Sequence, residues 1–344
     1  MKYRFITSTP LDISRGSGTY VGIAVLARAL DRMGHSVAFD TPGRHLPVYT
    51  AERLLFNRSL RSSADFDVTV GFDMDGYRIA GGPSHVASLK GVIADEVRFE
   101  RGLTRLTMGV QARCERLHVR RAARVLVTSR YCAAQAAKLY GLEHEPRIVP
   151  ELIDLPEWRR LLGEQPRRPN ERFTVLSVGR FYRRKRLDVL LRAAAMLRQR
   201  VPELSVRIVG NGPCAGSLHG LAAKLQLEGT VTWLGDVSRR QLAAEYNGAS
   251  AFCLASVQEG FGIVLLEAMA SGKSIVAARA GATPEVAPHA ELVDPDDAAA
   301  LAAGIERLYR DPGLRAAQEK AGRERVDQFD APRIAVAFVA ATCS

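Results

Sequence analysis

The stretch Glu259-Gly260-Phe261-Gly262-Ile263-Val264-Leu265-Leu266-Glu267 places two acids eight positions apart across a predicted strand-to-helix junction. The apolar run 251–255 predicts a buried strand before it, and residues 263–270 predict a helix that Gly272 ends. The acids then lie roughly 12 Å apart along the helix axis, with the free amides of Phe261 to Ile263 between them. Such amides can hold a diphosphate, so the order suits a nucleotide sugar. A surface acid before an ordinary amphipathic helix fits the segment as well.

Length and charge limit the classes of protein to consider. A chain of 344 residues with 47% hydrophobic content favours two domains, and no apolar run reaches the ~18 residues that span a bilayer. The residues before Pro10 predict a strand rather than a signal peptide, so we expect a cytoplasmic protein. Five cysteines without paired spacing predict neither a disulfide framework nor a metal site. The net charge of +11 predicts an anionic partner, which could be a nucleotide, a membrane surface or nucleic acid.

Two series of alternating strands and helices follow each other along the chain. Such alternation predicts an α/β fold of two Rossmann-like doubly wound domains facing each other across a cleft. Pro156, Pro166 and Pro169, with charged neighbours, predict an irregular linker between the two series. The predicted organisation is a first domain at 1–155, a linker at 156–172, a second domain at 173–325 and a last helix within 326–344.

Two glycine turns follow predicted strands. Gly16 and Gly18 precede a helix, where backbone amides can meet a phosphate or a sugar. The third glycine position of the dinucleotide fingerprint holds Val21, which disfavours a dinucleotide enzyme. Gly210 and Gly212 form the second turn and would let the backbone approach a nucleotide closely.

Residues 180–186 contain five cations directly after the first strand of the second series. Arg180 and Lys185 are the pair that we expect on a diphosphate, since arginine offers a forked donor and lysine a point charge. Both would stabilise negative charge on a leaving group. The other three arginines fit a solvated basic turn.

Five motifs occur in order between about Phe173 and Leu308. They are Gly179-Arg180 followed by Lys185, Gly210-Asn211-Gly212-Pro213, Glu259 to Glu267, Glu267-Ala268-Met269-Ala270-Ser271-Gly272, and Gly281-Ala282-Thr283-Pro284-Glu285. Together they resemble the donor half of the family 4 retaining glycosyltransferases of the GT-B fold. The resemblance implies a hexosyltransferase that moves a sugar from a nucleoside-diphosphate sugar to an acceptor hydroxyl with retention, without a metal or cofactor. It also implies that 1–155 binds the acceptor, that 173–325 binds the donor, and that the last helix packs back on the first domain.

The resemblance assigns roles to single residues as well. It places Glu259 on the donor sugar, Glu267 on the ribose hydroxyls, and Arg180 and Lys185 on the diphosphate, with Thr232 to Leu234 near the base. The implied catalytic residues are Glu259, Arg180 and Lys185. The implied donor-binding set is Gly16, Gly18, Arg180, Lys185, Gly210, Gly212, Leu234, Glu259, Phe261, Gly262, Ile263 and Glu267.

The first half departs from the family where a histidine commonly lies near the reacting sugar. Lys90-Gly91 occupies that place after a predicted strand, so Lys90, or Asp95 a turn later, is the nearest candidate. His85 lies at the other end of the strand and is interpreted as structural or surface-exposed. Asp73-Met74-Asp75 is an acid-x-acid triplet, a pattern that holds a metal in the other major glycosyltransferase fold. No further oxygen ligands accompany it, so an acceptor-facing role is the stronger interpretation.

A helix predicted over 109–124 carries Arg113, Arg116, Arg120 and Arg124 at three- and four-residue steps, which places them on one face. This face fits an anionic membrane carrying lipid-linked acceptors, and equally a solvated surface, because apolar residues are sparse there. Peripheral contact with the inner face of the membrane is therefore an open alternative to a purely cytoplasmic location.

Two other functions compete with glycosyl transfer. A sugar-nucleotide epimerase on the same fold would bind the same donor and convert it without an acceptor. A basic nucleic-acid-binding protein is the alternative from another class, but the cations are not interleaved with aromatic residues and no recognition motif is present. The sequence leaves open the base, the sugar and the acceptor, which could be a lipid-linked glycan, a polysaccharide or a small metabolite.

Overall fold

The computed structural model describes residues 1–9, 11, 18–43, 46, 48–165 and 172–343, and all structural statements below refer to these. The chain folds as two compact units. Of the described residues, the first unit comprises 1–9, 11, 19–43, 46, 48–152 and 331–343, and the second comprises Gly18, 153–165 and 172–330.

The first unit contains a parallel sheet whose strands are β1 (Lys2–Ile6), β2 (Ser36–Asp40), β3 (Val68–Phe72), β4 (His85–Leu89), β5 (Arg124–Val127) and β6 (Arg147–Ile148). In the described part of the chain their order is β2-β1-β3-β4-β5-β6. The helices between them are α1 (Thr19–Arg32), α2 (Tyr49–Ser59), α3 (Ile93–Glu96), α4 (Gly102–Arg121) and α5 (Arg130–Tyr140). The central strands β3 and β4 are buried along their whole length, as expected where helices cover both faces of a parallel sheet.

The second unit repeats this plan. Its strands are β7 (Phe173–Val178), β8 (Leu204–Val209), β9 (Val231–Gly235), β10 (Ala251–Leu254), β11 (Ser274–Ala278) and β12 (Glu291–Val293). The described strands follow the order β12-β11-β10-β7-β8-β9 and all pair in parallel. The helices are α6 (Leu155–Gly163), α7 (Leu187–Leu197), α8 (Ala215–Lys224), α9 (Arg239–Gly248), α10 (Ile263–Ala270), α11 (Thr283–Val286), α12 (Ala298–Arg310) and α13 (Pro312–Val326).

The last helix, α14 (Ala331–Cys343), lies in the first unit. The Tyr3 hydroxyl is 3.2 Å from the Thr342 hydroxyl, and the rings of Tyr3 and Phe338 are 6.0 Å apart. The predicted α/β fold of two doubly wound domains is confirmed. None of the helices in the described ranges is both long and apolar enough to cross a bilayer.

Two sequence interpretations of local structure were wrong. The predicted irregular linker begins with α6, because Pro156 occupies the first turn, where proline is tolerated, and Asp154 accepts a hydrogen bond from the Glu157 amide. The arginine-rich helix begins at Gly102 rather than Gly109 and ends before Arg124, which belongs to β5. The four predicted arginines therefore do not share one helix face.

Candidate functional site

The direction of strand addition reverses once in the second unit, between β7 and β10. From β7 the chain adds β8 and β9 on one side, and from β10 it adds β11 and β12 on the other. At such a reversal the loops that leave the carboxyl ends of the two strands diverge and leave a crevice, which is where open α/β sheets bind ligands. The loop after β7 contains Lys185, and the loop after β10 contains Glu259.

Lys185 and Glu259 form an ion pair at this position. Lys185 Nζ donates to Glu259 Oε1 at 2.6 Å, and the exposed fractions of the two side chains are 18% and 8%. The backbone of the Glu259 loop is fixed by the amide of Ala282, which donates to the Glu259 carbonyl at 2.9 Å. Gly281 has a φ of +57°, and a Cβ there would lie 2.6 Å from the Glu259 amide nitrogen and carbonyl oxygen. A side chain at position 281 would therefore displace the acid.

The amino end of α10 follows Glu259 directly. The predicted bounds of this helix, residues 263–270, are confirmed, and Gly272 takes a φ of +61° after its end. Gly262 is the N-cap with a φ of +89°, and no side chain caps the first amides. Uncapped amides at a helix start carry the positive end of the helix dipole, so they favour an anion.

Three buried polar atoms near Glu259 have no hydrogen-bond partner among the described residues. They are Ser256 Oγ, Gln258 Nε2 and Thr283 Oγ1, and each residue is 1% exposed. Leaving such a group unsatisfied costs about 1–3 kcal/mol, so a site of this kind calls for a water molecule or a ligand. Sequence reasoning missed these residues as a group, although Thr283 belongs to one of the five motifs.

Glu267 lies inside α10 and is completely buried. Arg239 Nη1 donates to its Oε1 at 3.3 Å, and the Tyr246 hydroxyl donates to its Oε2 at 3.3 Å. The Arg239 guanidinium also lies 4.8 Å from the centre of the Trp158 ring. Burial raises the pKa of Glu267 to about 7, against the opposing charge of Arg239. Contact with a ribose therefore stays a prediction, and it requires that this carboxylate become accessible.

The glycines of the second turn have a packing role in this structure. Gly210 has a φ of +119°, and a Cβ there would collide with the Gly179 carbonyl. A Cβ on Gly212 would lie 2.7 Å from the Phe181 amide nitrogen. The two turns after β7 and β8 thus approach each other backbone to backbone, and contact between Gly210 or Gly212 and a nucleotide stays a prediction.

The remaining cations of the loop after β7 differ in their surroundings. Arg180 is exposed. Arg186 pairs with Asp296 and Asp188, and the Arg184 guanidinium lies 4.8 Å from the Tyr182 ring centre. Arg180 is consequently available to a diphosphate, whereas Arg186 is engaged in the fold.

The other predicted donor residues are Leu234, Phe261, Gly18 and Gly16. Leu234 is half-buried at the end of β9, and the neighbouring Trp233 has its ring centre 4.5 Å from that of His219. Phe261 is 4% exposed and meets the Phe329 ring edge-on at 5.4 Å. Gly18 precedes α1 with a φ of +127°, and Gly16 lies outside the described residues.

In the first unit, Lys90 follows β4 and is held by two carboxylates. Its Nζ donates to Glu151 Oε2 at 3.0 Å, and its amide donates to Asp73 Oδ1 at 2.8 Å. Burial raises the pKa of Asp73 to about 6. Asp95 is fully buried, where it accepts from Arg98 at 3.0 Å and from the Tyr131 hydroxyl at 2.5 Å. Lys90 Nζ and both Asp95 oxygens are thus engaged within the unit, and a role for either residue near the sugar stays a prediction.

Asp75 and His85 are structural. Asp75 is completely buried and accepts hydrogen bonds from Arg53, Asn57 and Ser8. His85 Nε2 and His118 Nε2 are 2.8 Å apart, and His118 Nδ1 lies 2.5 Å from the Asp73 carbonyl oxygen. Because that carbonyl can only accept, His118 carries its hydrogen on Nδ1 and accepts at Nε2 from His85. Burial lowers the pKa of His85 to about 3 and that of His118 to about 4, so both rings are neutral at pH 7.

Comparison with known proteins finds sequence relatives of the second unit among the glycosyl transferases. Residues 159–325 match the family model described as "Glycosyl transferases group 1". The chain is 34% identical over 206 residues to a D-inositol 3-phosphate glycosyltransferase of Pseudarthrobacter chlorophenolicus, which covers 56% of this chain and 49% of that protein. It is 32% identical over 221 residues to a GDP-mannose-dependent alpha-(1-6)-phosphatidylinositol monomannoside mannosyltransferase of Mycolicibacterium smegmatis, which covers 58% of this chain and 56% of that protein. The chain thus spans about half the length of the curated relatives it matches.

Solved structures share the fold over nearly the whole chain. Sucrose-phosphate synthase from Thermosynechococcus elongatus aligns with a TM-score of 0.78 at 23% identity, covering 98% of this chain and 97% of that one. WaaG, a glycosyltransferase involved in lipopolysaccharide biosynthesis, aligns with a TM-score of 0.76 at 19% identity, covering 99% and 100%. At these identities the likeness concerns the fold alone. The second unit therefore matches the glycosyl transferases group 1 family in sequence, within a chain that has the GT-B fold.

Proposed function

We propose that this protein is a retaining glycosyltransferase that moves a sugar from a nucleoside-diphosphate sugar to an acceptor hydroxyl without a metal. The observation that carries the proposal is the Lys185–Glu259 ion pair at the strand reversal, beside the uncapped amides of α10. A cation and the free amides of a helix start can bind a diphosphate, and an adjacent acid can accept a hydrogen bond from a sugar hydroxyl. The family match over the second unit supports the same assignment.

The ion pair suggests how donor binding prepares the site. Lys185 donates to Glu259 at 2.6 Å in the structure. We expect a diphosphate to compete for Lys185 Nζ, because its oxygens carry more negative charge than one carboxylate. Glu259 would then be free to accept a hydrogen bond from a sugar hydroxyl. Lys185, Arg180 and the α10 amides would stabilise the leaving diphosphate while the acceptor attacks from the same face.

The relatives suggest which donors and acceptors to test. One relative is named as GDP-mannose-dependent and acts on a phosphatidylinositol mannoside, and another is named for inositol 3-phosphate. For this chain we propose an acceptor among lipid-linked glycans, polysaccharides and small metabolites. Lys90, held by Glu151, is the residue that we propose in place of the histidine near the reacting sugar.

Thermal stabilisation by UDP, GDP, ADP and dTDP in EDTA tests the donor site. A nucleotide that binds only the folded state adds about 2.7 kcal/mol of stability at a hundredfold excess over its Kd. We expect one nucleotide to stabilise the unmodified protein and to lose most of this effect in Arg180→Ala and Lys185→Met. Arg183→Ala, which removes an exposed cation of the same loop, is the matched control and should behave as the unmodified protein.

A second measurement tests the reaction. The donor identified by its base is incubated with candidate acceptors in EDTA, and the anomeric configuration of the product is read by NMR. Transfer with retention supports the proposal, and an inverted product or a strict metal requirement contradicts the corresponding part of it. If none of the four nucleotides stabilises the folded protein, the donor assignment itself is wrong.

A further inference from the structure

Helix α4 exposes three leucines to solvent. Leu103 is 74% exposed, Leu106 68% and Leu117 44%. No residue between Gly102 and Val110 is buried, whereas the buried side chains of this helix begin at Gln111. Single exposed leucines are ordinary on a protein surface, so their arrangement decides whether they matter.

The three exposed leucines and the half-buried Val110 form one narrow stripe. At 3.6 residues per turn, Leu103, Leu106, Val110 and Leu117 fall within roughly 60° of the helix circumference. The buried residues of α4 lie on one side of this stripe, and Arg105, Arg113 and Arg116 lie on the other side and are exposed. The leucines were overlooked in the sequence because the helix was predicted to begin only at Gly109.

The arginines beside the stripe keep their full positive charge at the surface. Within the described residues, none of Arg105, Arg113 and Arg116 forms an ion pair, while Arg120 donates to the Tyr140 carbonyl. The one acid of α4, Glu115, is completely buried and accepts from the Ile93 amide at 2.8 Å. No acid of this helix therefore offsets the arginines on the exposed face.

The first turns of α4 lie toward the carboxyl edge of the sheet of the first unit. Ala123, just after α4, donates its amide to the carbonyl of His85 at the start of β4, so the helix ends at the amino edge of the sheet. Its first turns therefore lie toward the carboxyl edge, the edge that carries Lys90 and Asp73. Parallel α/β sheets bind their ligands at this edge.

We propose that the exposed face of α4 docks the protein on an anionic lipid surface. Leu103, Leu106 and Leu117 enter the boundary between headgroups and acyl chains, and the three arginines bind lipid phosphates while their apolar stems lie along the surface. Charge complementarity selects this occupant, since a leucine stripe bordered on one side by unpaired arginines matches a layer with apolar chains below anionic groups. The inference does not depend on the proposed transferase activity.

Sedimentation with lipid vesicles tests the docking surface. The full chain is mixed with phosphatidylcholine vesicles that contain either no anionic lipid or about a third phosphatidylglycerol. We expect binding to the anionic vesicles that weakens as salt is raised. Leu103→Ser with Leu106→Ser should lower the partition coefficient about tenfold or more. Replacing Arg105, Arg113 and Arg116 together by Glu should lower the partition coefficient at least a hundredfold. Each lost arginine accounts for a factor of about five.

The matched control lies on another exposed helix of the same unit. Val336 is 58% exposed and Arg333 is exposed on α14, so Val336→Ser with Arg333→Glu removes the same kinds of group elsewhere. This control should bind vesicles as the unmodified protein does. All variants should have the melting point of the unmodified protein. The proposal is overturned if the unmodified protein ignores anionic vesicles, or if the control loses as much binding as the α4 variants. It is also overturned if gel filtration shows a dimer that the leucine variants dissociate, because a second copy would then be the occupant.

Discussion

Replacing Gly281 by alanine tests whether the Glu259 loop depends on close backbone packing. Gly281 has a φ of +57°, a conformation that costs a residue with a Cβ about 1–2 kcal/mol. The new Cβ would also lie 2.6 Å from two backbone atoms of Glu259, well inside contact distance. Relieving this overlap requires a backbone shift, which adds about 1–3 kcal/mol. We therefore expect Gly281→Ala to lower the free energy of unfolding by about 2–5 kcal/mol.

Gly229 provides the control, because it isolates the conformational cost. It lies in the same unit with a φ of +77°, and a Cβ there meets nothing within 4 Å. Gly229→Ala should therefore cost only about 1–2 kcal/mol. Urea unfolding gives the two free energies, and titration with the nucleotide sugar gives the binding constants. Because Glu259 is the residue proposed to hold the sugar, its displacement in Gly281→Ala should weaken binding of the nucleotide sugar, whereas Gly229→Ala should leave this binding unchanged. Equal destabilisation in both variants, with equal binding, would refute the reasoning.

Three further predictions concern charge and burial. The pKa values of His85 and His118 are lowered to about 3 and 4, so the folded state resists protonation and its stability should fall as the pH drops below about 6.5. Urea unfolding between pH 7 and pH 4 should show this loss of stability. The double variant His85→Gln, His118→Gln should depend less on pH than the unmodified protein, whereas the exposed control His144→Gln should show the same pH dependence. Burial raises the pKa of Glu267 from 4.5 to about 7, so its ionisation should cost stability as the pH rises through this range, by about 3 kcal/mol at most. Glu267→Gln should remove that slope, and an unchanged slope would show that this carboxyl does not cause it. Arg239→Met leaves the buried Glu267 without its cation and should lower the free energy of unfolding by about 3–5 kcal/mol, whereas the exposed neighbour Arg240→Met should change it by less than about 0.5 kcal/mol.

Local signals in the sequence were sufficient for most elements of the second unit. The predicted bounds of α10 match the structure, because helix-forming residues and a terminal glycine act over a few neighbouring positions. The alternation of strands and helices likewise determined the α/β class, since parallel strands need crossover helices. The prediction was wrong where local signals conflicted. The prolines from Pro156 onward predicted an irregular linker at the position of α6, and α4 was predicted to begin at Gly109 although it begins at Gly102.

The tertiary structure alone decided how the predicted site residues meet. Lys185 and Glu259 are 74 positions apart and form an ion pair because β7 and β10 are neighbours in the sheet, which no local pattern encodes. The same holds for Glu267, whose spacing predicted a ligand contact but whose helix turns it toward Arg239 and Tyr246. The sequence by itself determined which residues are acids, cations and glycines at the ends of strands. Strand order and helix packing, which depend on contacts between distant parts of the chain, determined which of those residues pair, which are buried and which face solvent.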